Sequence, residues 1–334
     1  MYFSSLNVLF FSTLTTGMLL TISSSSWFGI WAGLELNLLS FIPLIVSTNN
    51  KYSSEAALKY FLIQALGSSF IIFSGTALLF SLTLPSIVLS CSLLLKLGAA
   101  PFHFWFPQIM EGLMWPQLII LMTMQKIAPL FLLSYLSPSD TIFLIIIVSI
   151  ILSCLVGSIL GMNQTSLRKI MAFSSINHIA WMLTASAISE NMLLLYIFFY
   201  CIISTSVALL FHSYQMFYFN HLFNQTELTN TTKMLLFMSL LSLGGLPPFS
   251  GFIPKWFLIQ ELMSAKLFLL LIFLLTTALV TLYFYLRIAV SFFTLSSPKM
   301  KQNLMMTVLS PSVTSMLMFT NLFGLLVPSL IICF

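Results

Sequence analysis

Glu35, Lys96, Lys126 and Lys255 are ionisable side chains set in the middle of long apolar runs. An ionised group at the centre of a membrane helix costs roughly 2.5–3.5 kcal/mol, so four cost about 10–14 kcal/mol if they add. That is comparable with the whole stability of a typical domain, ~5–15 kcal/mol. Packing alone rarely retains such a set. Such a set fits an internal ion or proton path, with packing-only ion pairs as the alternative. Desolvation favours the neutral form of an amine and a nearby carboxylate favours the charged form, so burial and neighbours decide whether such a lysine carries a proton. Polar neighbours accompany the charges: Asn37 and Ser40 near Glu35, and Gln125 next to Lys126. Ser174, Ser175, Asn177 and His178 cluster in a further run, and His103 lies beside Pro101. His103 and His178 are each either a relay group or a hydrogen-bonded core residue. His212 and His221, near a helix end and in a loop, read as structural.

The composition says what must carry these groups. Of 334 residues, 59% are hydrophobic and only 6% charged, with a mean hydropathy of +1.07. A soluble domain carries about 25% charged residues, so a water-soluble enzyme is excluded. Disorder and nucleic-acid binding are excluded too, because the net charge of +5 is scattered over 12 cations and forms no basic stripe. Apolar stretches of about 20 residues predict an all-α polytopic membrane protein with about eleven transmembrane helices in one transmembrane domain, 1–334. The first five spans are Ser4–Ile22, Trp27–Val46, Ala57–Leu82, Ser86–Phe106 and Gln117–Leu136. The others are Thr141–Gly161, Ile170–Ile188, Met192–Tyr218, Met234–Leu262, Leu267–Phe293 and Thr307–Leu330. Connections are short, and the longest, Phe219–Lys233, reads as a plain loop.

Lys51, Lys59, Arg168, Lys169, Lys233, Lys299 and Lys301 fall on the side that holds the N-terminus, whereas Lys266, Asp140, Glu190 and Glu261 fall on the other. The positive-inside bias puts the N-terminus toward a cytoplasm-like compartment and, with an odd helix count, the C-terminus opposite. No cleavable signal or Arg-rich transit peptide is expected before the first helix. Cys91, Cys154, Cys201 and Cys333 lie in apolar runs without paired spacing and read as small packing residues. The 33 Phe and 19 Met hint at an A+T-rich organellar genome.

Two predicted helices are interrupted in similar ways. One runs Lys96-Leu97-Gly98-Ala99-Ala100-Pro101 on to Pro107, and the other Leu243-Gly244-Gly245-Leu246-Pro247-Pro248 on to Pro254 and Lys255. Both share a Leu-Gly-x-x-Pro core, Leu97 to Pro101 and Leu243 to Pro247. Proline removes a backbone donor and glycine weakens a helix, so both should unwind inside the membrane. They are the fourth and ninth helices. An offset of five, being odd, predicts inverted five-helix repeats: helices 1–5 within residues 1–138 and helices 6–10 within 139–295. Each repeat has a broken fourth helix, and 296–334 adds one C-terminal helix.

At these residues the chain resembles the antiporter-like, proton-translocating membrane-arm subunits of respiratory complex I, in particular the NADH–ubiquinone oxidoreductase chain 2 family. The matching stretches are Trp31–Asn37, Glu55–Phe61, Lys96–Pro107, Gln125–Pro129, Ser174–Trp181 and Leu243–Trp256, spread over the whole chain. The resemblance implies a short animal-type form lacking the first three of fourteen bacterial helices. It implies that Glu35 is a carboxylate controlling Lys96, that Lys126 is the central lysine joining two half-channels, and that Lys255 is the terminal lysine. His103 and His178 are then relay candidates. It further implies a multi-pass protein of the mitochondrial inner membrane, with its N-terminus in the matrix and its C-terminus on the intermembrane-space side. Its partners would be other membrane-arm and accessory subunits, lipids, protons and water. NADH, FMN, iron–sulfur clusters and ubiquinone would belong to partner subunits.

This chain has no Gly-x-Gly-x-x-Gly after a strand, no P-loop, no iron–sulfur cysteine cluster and no zinc spacing, so it is expected to bind no cofactor or metal itself. Two rival functions are an autonomous cation/proton antiporter and a non-pumping scaffold. The antiporter needs carboxylates for a cation site, and Glu35 is the only deep one.

Overall fold

The computed structural model describes residues 5–46, 50–80, 83–137, 139–223, 230–294 and 311–322. These fold into fifteen helices. The first seven are α1 (Ser5–Ser23), α2 (Trp27–Val46), α3 (Lys51–Ala77), α4 (Thr83–Leu97), α5 (Trp105–Gly112), α6 (Trp115–Met122) and α7 (Met124–Leu136). Then come α8 (Asp140–Met162), α9 (Leu167–Ile188), α10 (Glu190–Ser213), α11 (Phe219–Phe223), α12 (Asn230–Gly244), α13 (Phe252–Ser264), α14 (Phe268–Thr294) and α15 (Pro311–Leu322). Seven stretches are long and apolar enough to cross a membrane: α1, α2, α3, α6 with α7, α8, α10 and α14. Among the described residues the one β-type contact is a bridge from Ser166 to Tyr218.

The centre is α9. Every residue from Ile170 to Ser186 is buried, and α5, α7, α8, α10, α13 and α14 all pack on it. Its serines, Asn177 and His178 lower its hydropathy, which is tolerable because it faces protein on all sides rather than lipid. The two halves of the chain share a packing order. Helix α1 lies on α2, α2 on α3, and α3 on both α4 and α5; likewise α8 lies on α9, α9 on α10, and α10 on both α12 and α13. Gly33 and Gly157 let α2 approach α1 and α8 approach α9 closely, since a Cβ would lie 2.8 Å from Gly17 O and Phe173 O respectively.

Several sequence expectations need correction. Helix α3 starts at Lys51 rather than Ala57, because Glu55 and Lys59 form an i,i+4 ion pair of 2.6 Å on its exposed first turns. The stretch Phe219–Lys233 is not a plain loop, since it contains α11 and the start of α12; residues 224–229 lie outside those described. The fifth span is divided at Thr123, whose hydroxyl donates back to Ile119 O at 2.7 Å. No proline or glycine sits there to announce the division. Residue Cys333, the loop lysines Lys299 and Lys301, and both ends of the predicted eleventh helix fall outside the described residues.

Candidate functional site: a buried polar axis through two broken helices

The fourth span is interrupted between α4 and α5, and the ninth between α12 and α13. Each first half ends on a glycine with positive φ, Gly98 at 72° and Gly245 at 79°. The Ala99 N–H donates to Leu94 O at 3.1 Å and the Gly98 N–H to Leu95 O at 3.1 Å. The Leu246 N–H donates to Leu241 O at 3.4 Å and the Gly245 N–H to Ser242 O at 3.0 Å. Both are Schellman ends, in which a left-handed residue returns two N–H groups to the last turn. Structure therefore aligns Gly98 with Gly245, one residue away from the Leu-Gly-x-x-Pro register read in the sequence. In this register Pro101 meets Pro248 and Pro107 meets Pro254. Pro107 and Pro254 are the third residues of α5 and α13. There a missing N–H costs no helical bond, so these prolines start helices and do not break them.

Lys96 lies in the last turn of α4 and is buried, its stem against Gly67 of α3, where a Cβ would come within 3.0 Å of Lys96 Cγ. Gln64 Nε2 donates to Lys96 O at 3.2 Å, and Trp105 Nε1 to Leu95 O at 3.0 Å. Glu35 is half-buried on α2, and its Oε2 has no hydrogen-bond partner among the described residues. The ion pairs within 4.0 Å among the described residues are Glu55–Lys59 and Glu111–Lys169, so Glu35 and Lys96 are not in direct contact. His103 lies in the interruption rather than in a helix, and both its ring nitrogens are buried without a partner among the described residues.

A neutral bridge joins this region to the next lysine. Tyr60 of α3 donates to Gln125 Oε1 at 3.2 Å, and Gln125 Nε2 to Asn37 Oδ1 of α2 at 2.9 Å. Lys126 follows on α7, just past the Thr123 division, and is buried. Its ammonium donates to Ser175 O of α9 at 3.3 Å and to the Tyr200 hydroxyl of α10 at 3.1 Å. The rings of Tyr200 and Phe106 lie under it at 4.9 and 5.4 Å. The Tyr200 ring is 5.1 Å from the His178 ring, and His178 Nδ1 shares a hydrogen bond of 3.0 Å with the Tyr196 hydroxyl. Tyr196 stacks on Trp181, over whose ring Lys255 Nζ sits at 5.8 Å. Lys255 Nζ donates to Gly244 O at 2.8 Å across the second break. A cavity of about 10 Å³, roughly the room one water occupies, lies between His178, Tyr196 and Tyr200 on one side and Ser242, Gly251 and Pro254 on the other.

The structure thus brings together Lys126, His178 and Lys255, and sets Glu35 and Lys96 at one end. The hydroxyls of Ser40, Ser174 and Ser175 donate to Asn37 O, Met171 O and Ala172 O on their own helices, while the side chains of Ser175 and Ser174 also face the hydroxyls of Tyr200 and Tyr285. Sequence reasoning missed Tyr60, Gln64, Tyr196 and Tyr200. The signal available was a polar tip on a mid-span residue, and Tyr196 with Tyr200 at i,i+4. Among the described residues no group of three or more His, Cys, Asp or Glu is placed to hold a metal ion.

Comparison with known proteins places this geometry. The model of the NADH:quinone oxidoreductase/Mrp antiporter transmembrane family matches residues 24–84 and 80–281. NADH-ubiquinone oxidoreductase chain 2 of Anopheles gambiae is 49% identical over 302 residues, 88% of this chain and 87% of the relative. The protein of the same name from Aedes aegypti is 45% identical over 336 residues, 97% of both chains. The chain belongs to the NADH-ubiquinone oxidoreductase chain 2 family. The matched region contains Glu35, Lys96, Lys126, Lys255 and both candidate histidines. This chain shares its fold with a chain of respiratory complex I from Thermus thermophilus with bound aureothin, at TM-score 0.84, 24% identity, 96% of this chain and 76% of that one. The chain 2 fold also resembles a chain of the Mrp complex from Dietzia sp., at TM-score 0.78, 18% identity, 87% of this chain and 61% of that one.

Proposed function

We propose that this chain is a proton-translocating membrane subunit of respiratory NADH:ubiquinone oxidoreductase in the mitochondrial inner membrane. The protons move along Glu35, Lys96, Lys126, His178 and Lys255, with His103 at the first break. Redox chemistry on NADH, FMN, iron–sulfur clusters and ubiquinone belongs to partner subunits, and electron transfer there drives the switching. The N-terminus faces the matrix and the C-terminus the intermembrane space. Residues 1–138 and 139–295 are inverted repeats, a reading supported by their common packing order and their matching Schellman breaks.

One observation carries the reading. Lys126 donates to Tyr200, whose ring borders His178, and His178 bonds Tyr196, so titratable groups of α7, α9 and α10 touch in sequence within a buried core. A scaffold has no use for such a series, and it costs more than an apolar core of equal volume. The test is Lys126→Met in the intact complex, reconstituted in liposomes. Proton uptake is followed by a pH-sensitive dye while NADH oxidation is recorded. Length and apolar packing are kept, so assembly should be preserved while coupled turnover and pumping fall sharply. An unchanged ratio of protons to electrons at full turnover would reduce Lys126 to a packing residue.

A further inference from the structure

Two large surface cavities lie on the side of the molecule where α8 meets α9. One, about 600 Å³, is lined by Glu55, Lys59, Glu111 and Arg168 among others. Lys59 and the adjacent Lys169 are already paired with Glu55 and Glu111 at 2.6 and 2.7 Å, so this cavity is close to electrically balanced. The other, about 800 Å³, differs. It is lined by Asn163, Gln164, Thr165, Tyr218, Phe219, Asn220, Arg287 and Ser291. Among the described residues that line it there is no carboxylate, and Arg287 is the one cation.

The cavity is built rather than incidental. The Leu167 N–H donates to Phe217 O and the Phe219 N–H to Thr165 O, both at 2.9 Å, clamping the α8–α9 loop to the α10–α11 loop. The guanidinium of Arg287 lies 5.7 Å over the Phe219 ring and donates to Gln164 O at 3.5 Å. Those contacts keep the guanidinium beside the cavity, and its planar fork of five N–H donors matches a phosphate. Amide and hydroxyl groups of Asn163, Asn220, Thr165 and Ser291 surround it.

Helix α14 decides what kind of phosphate. Arg287 is exposed, and Ile272, Leu275, Leu279, Tyr283 and Val290 are exposed with it. Their spacing of three, four, four and seven residues, with Arg287 four after Tyr283, puts all six on one face of the helix. The cation therefore lies near one end of an outward apolar stripe running most of the length of α14, with Val290 one turn beyond it, the arrangement of one headgroup site with a track for acyl chains below it. A free phosphate needs no such stripe.

We propose that this cavity is a binding site for an anionic phospholipid, its phosphate on Arg287 and its acyl chains along the Ile272–Val290 face of α14. The site is independent of the proton axis. It is tested on the intact complex in nanodiscs containing a trace of phosphatidylglycerol or phosphatidylcholine with a photoreactive group on the acyl chain. Cross-links are mapped by mass spectrometry. Phosphatidylglycerol should label the exposed face of α14 in preference to phosphatidylcholine. Labelling should fall about fivefold in Arg287→Gln, the effect of one basic residue at an anionic membrane surface. Ser291→Asp places a carboxylate in the cavity without touching the Arg287–Phe219 contact, and should lower labelling as well. Excess inorganic phosphate should leave it unchanged. Equal labelling by both lipids, no labelling of α14, insensitivity to both variants, or displacement by inorganic phosphate would each overturn the proposal.

Discussion

At the first break the exposed carbonyls of α4 are served by neutral side chains from elsewhere: Trp105 Nε1 on Leu95 O and Gln64 Nε2 on Lys96 O. At the second, the carbonyl of Gly244 receives Lys255 Nζ, the ammonium itself. In the shared register Phe252 stands where Trp105 stands, and Lys255 where Gln108 stands. The same Schellman turn is thus used in two ways. Lys96 precedes its left-handed glycine and leaves the capping of the break to others. Lys255 follows its glycine and closes the break with its own donor. Carbonyls at membrane depth need partners, so a titration at Lys255 also touches the backbone of the second break, whereas one at Lys96 does not touch the first.

Replacing each lysine by methionine should show the largest difference. Both Lys96→Met and Lys255→Met should abolish most coupled pumping. Only Lys255→Met strands a carbonyl, and an unsatisfied buried acceptor costs about 1–3 kcal/mol. Removing a buried amine relieves its desolvation in both variants, so the carbonyl is what separates them. Hydrogen exchange across residues 244–253 should quicken in Lys255→Met, with no matching change across 96–106 in Lys96→Met. Equal protection at the two breaks would erase the contrast.

The two glycines give the next largest effect. Alanine in a left-handed conformation costs roughly 1–2 kcal/mol at either position. At Gly98 the new Cβ would meet Phe106 Cβ and the Trp105 ring at 3.2 Å; at Gly245 it would come within 2.7 Å of Lys255 Nζ. Gly98→Ala and Gly245→Ala should therefore lose similar thermal stability, but only Gly245→Ala should displace a lysine and lower proton pumping per NADH oxidised. Equal pumping in the two variants would show that Lys255 moves aside without consequence.

Much of this was legible in the sequence because lipid leaves few options. A charge in an apolar run must face protein, so Glu35, Lys96, Lys126 and Lys255 stood out by position alone, and the span Trp27–Val46 ends where its apolar run ends. The breaks were legible from Gly and Pro, but their register was not. Leu97-Gly98 and Leu243-Gly244 look equivalent as letters, while φ selects Gly98 and Gly245. The Thr123 division was hidden because a threonine hydroxyl bonding its own helix leaves no mark in composition. Tyr60, Tyr196 and Tyr200 were hidden because aromatic residues count as apolar, and what matters in them is one oxygen aimed at a neighbouring helix. The serines are ambiguous for the opposite reason: they count as polar, yet their hydroxyls donate to carbonyls of their own helix.

The smallest effect, and the finest probe of the comparison, is expected at Gln64. Its amide donates to Lys96 O at 3.2 Å, and Gly67, one turn further along α3, is the surface against which the Lys96 stem lies. One face of α3 thus both caps the end of α4 and seats its lysine. Gln64→Leu keeps much of the side-chain bulk and leaves Gly67 untouched, so it removes the cap without moving the seat. The net cost of one such hydrogen bond is about 0.5–1.5 kcal/mol, and Trp105 still serves the adjacent carbonyl of Leu95. Hydrogen exchange at the end of α4 should rise modestly, while proton pumping stays near that of the parent complex. If Gln64→Leu instead lost as much pumping as Lys96→Met, the cap and the lysine would be one unit at the first break as they are at the second. The distinction between a lysine that closes its own break and one that does not would then fail.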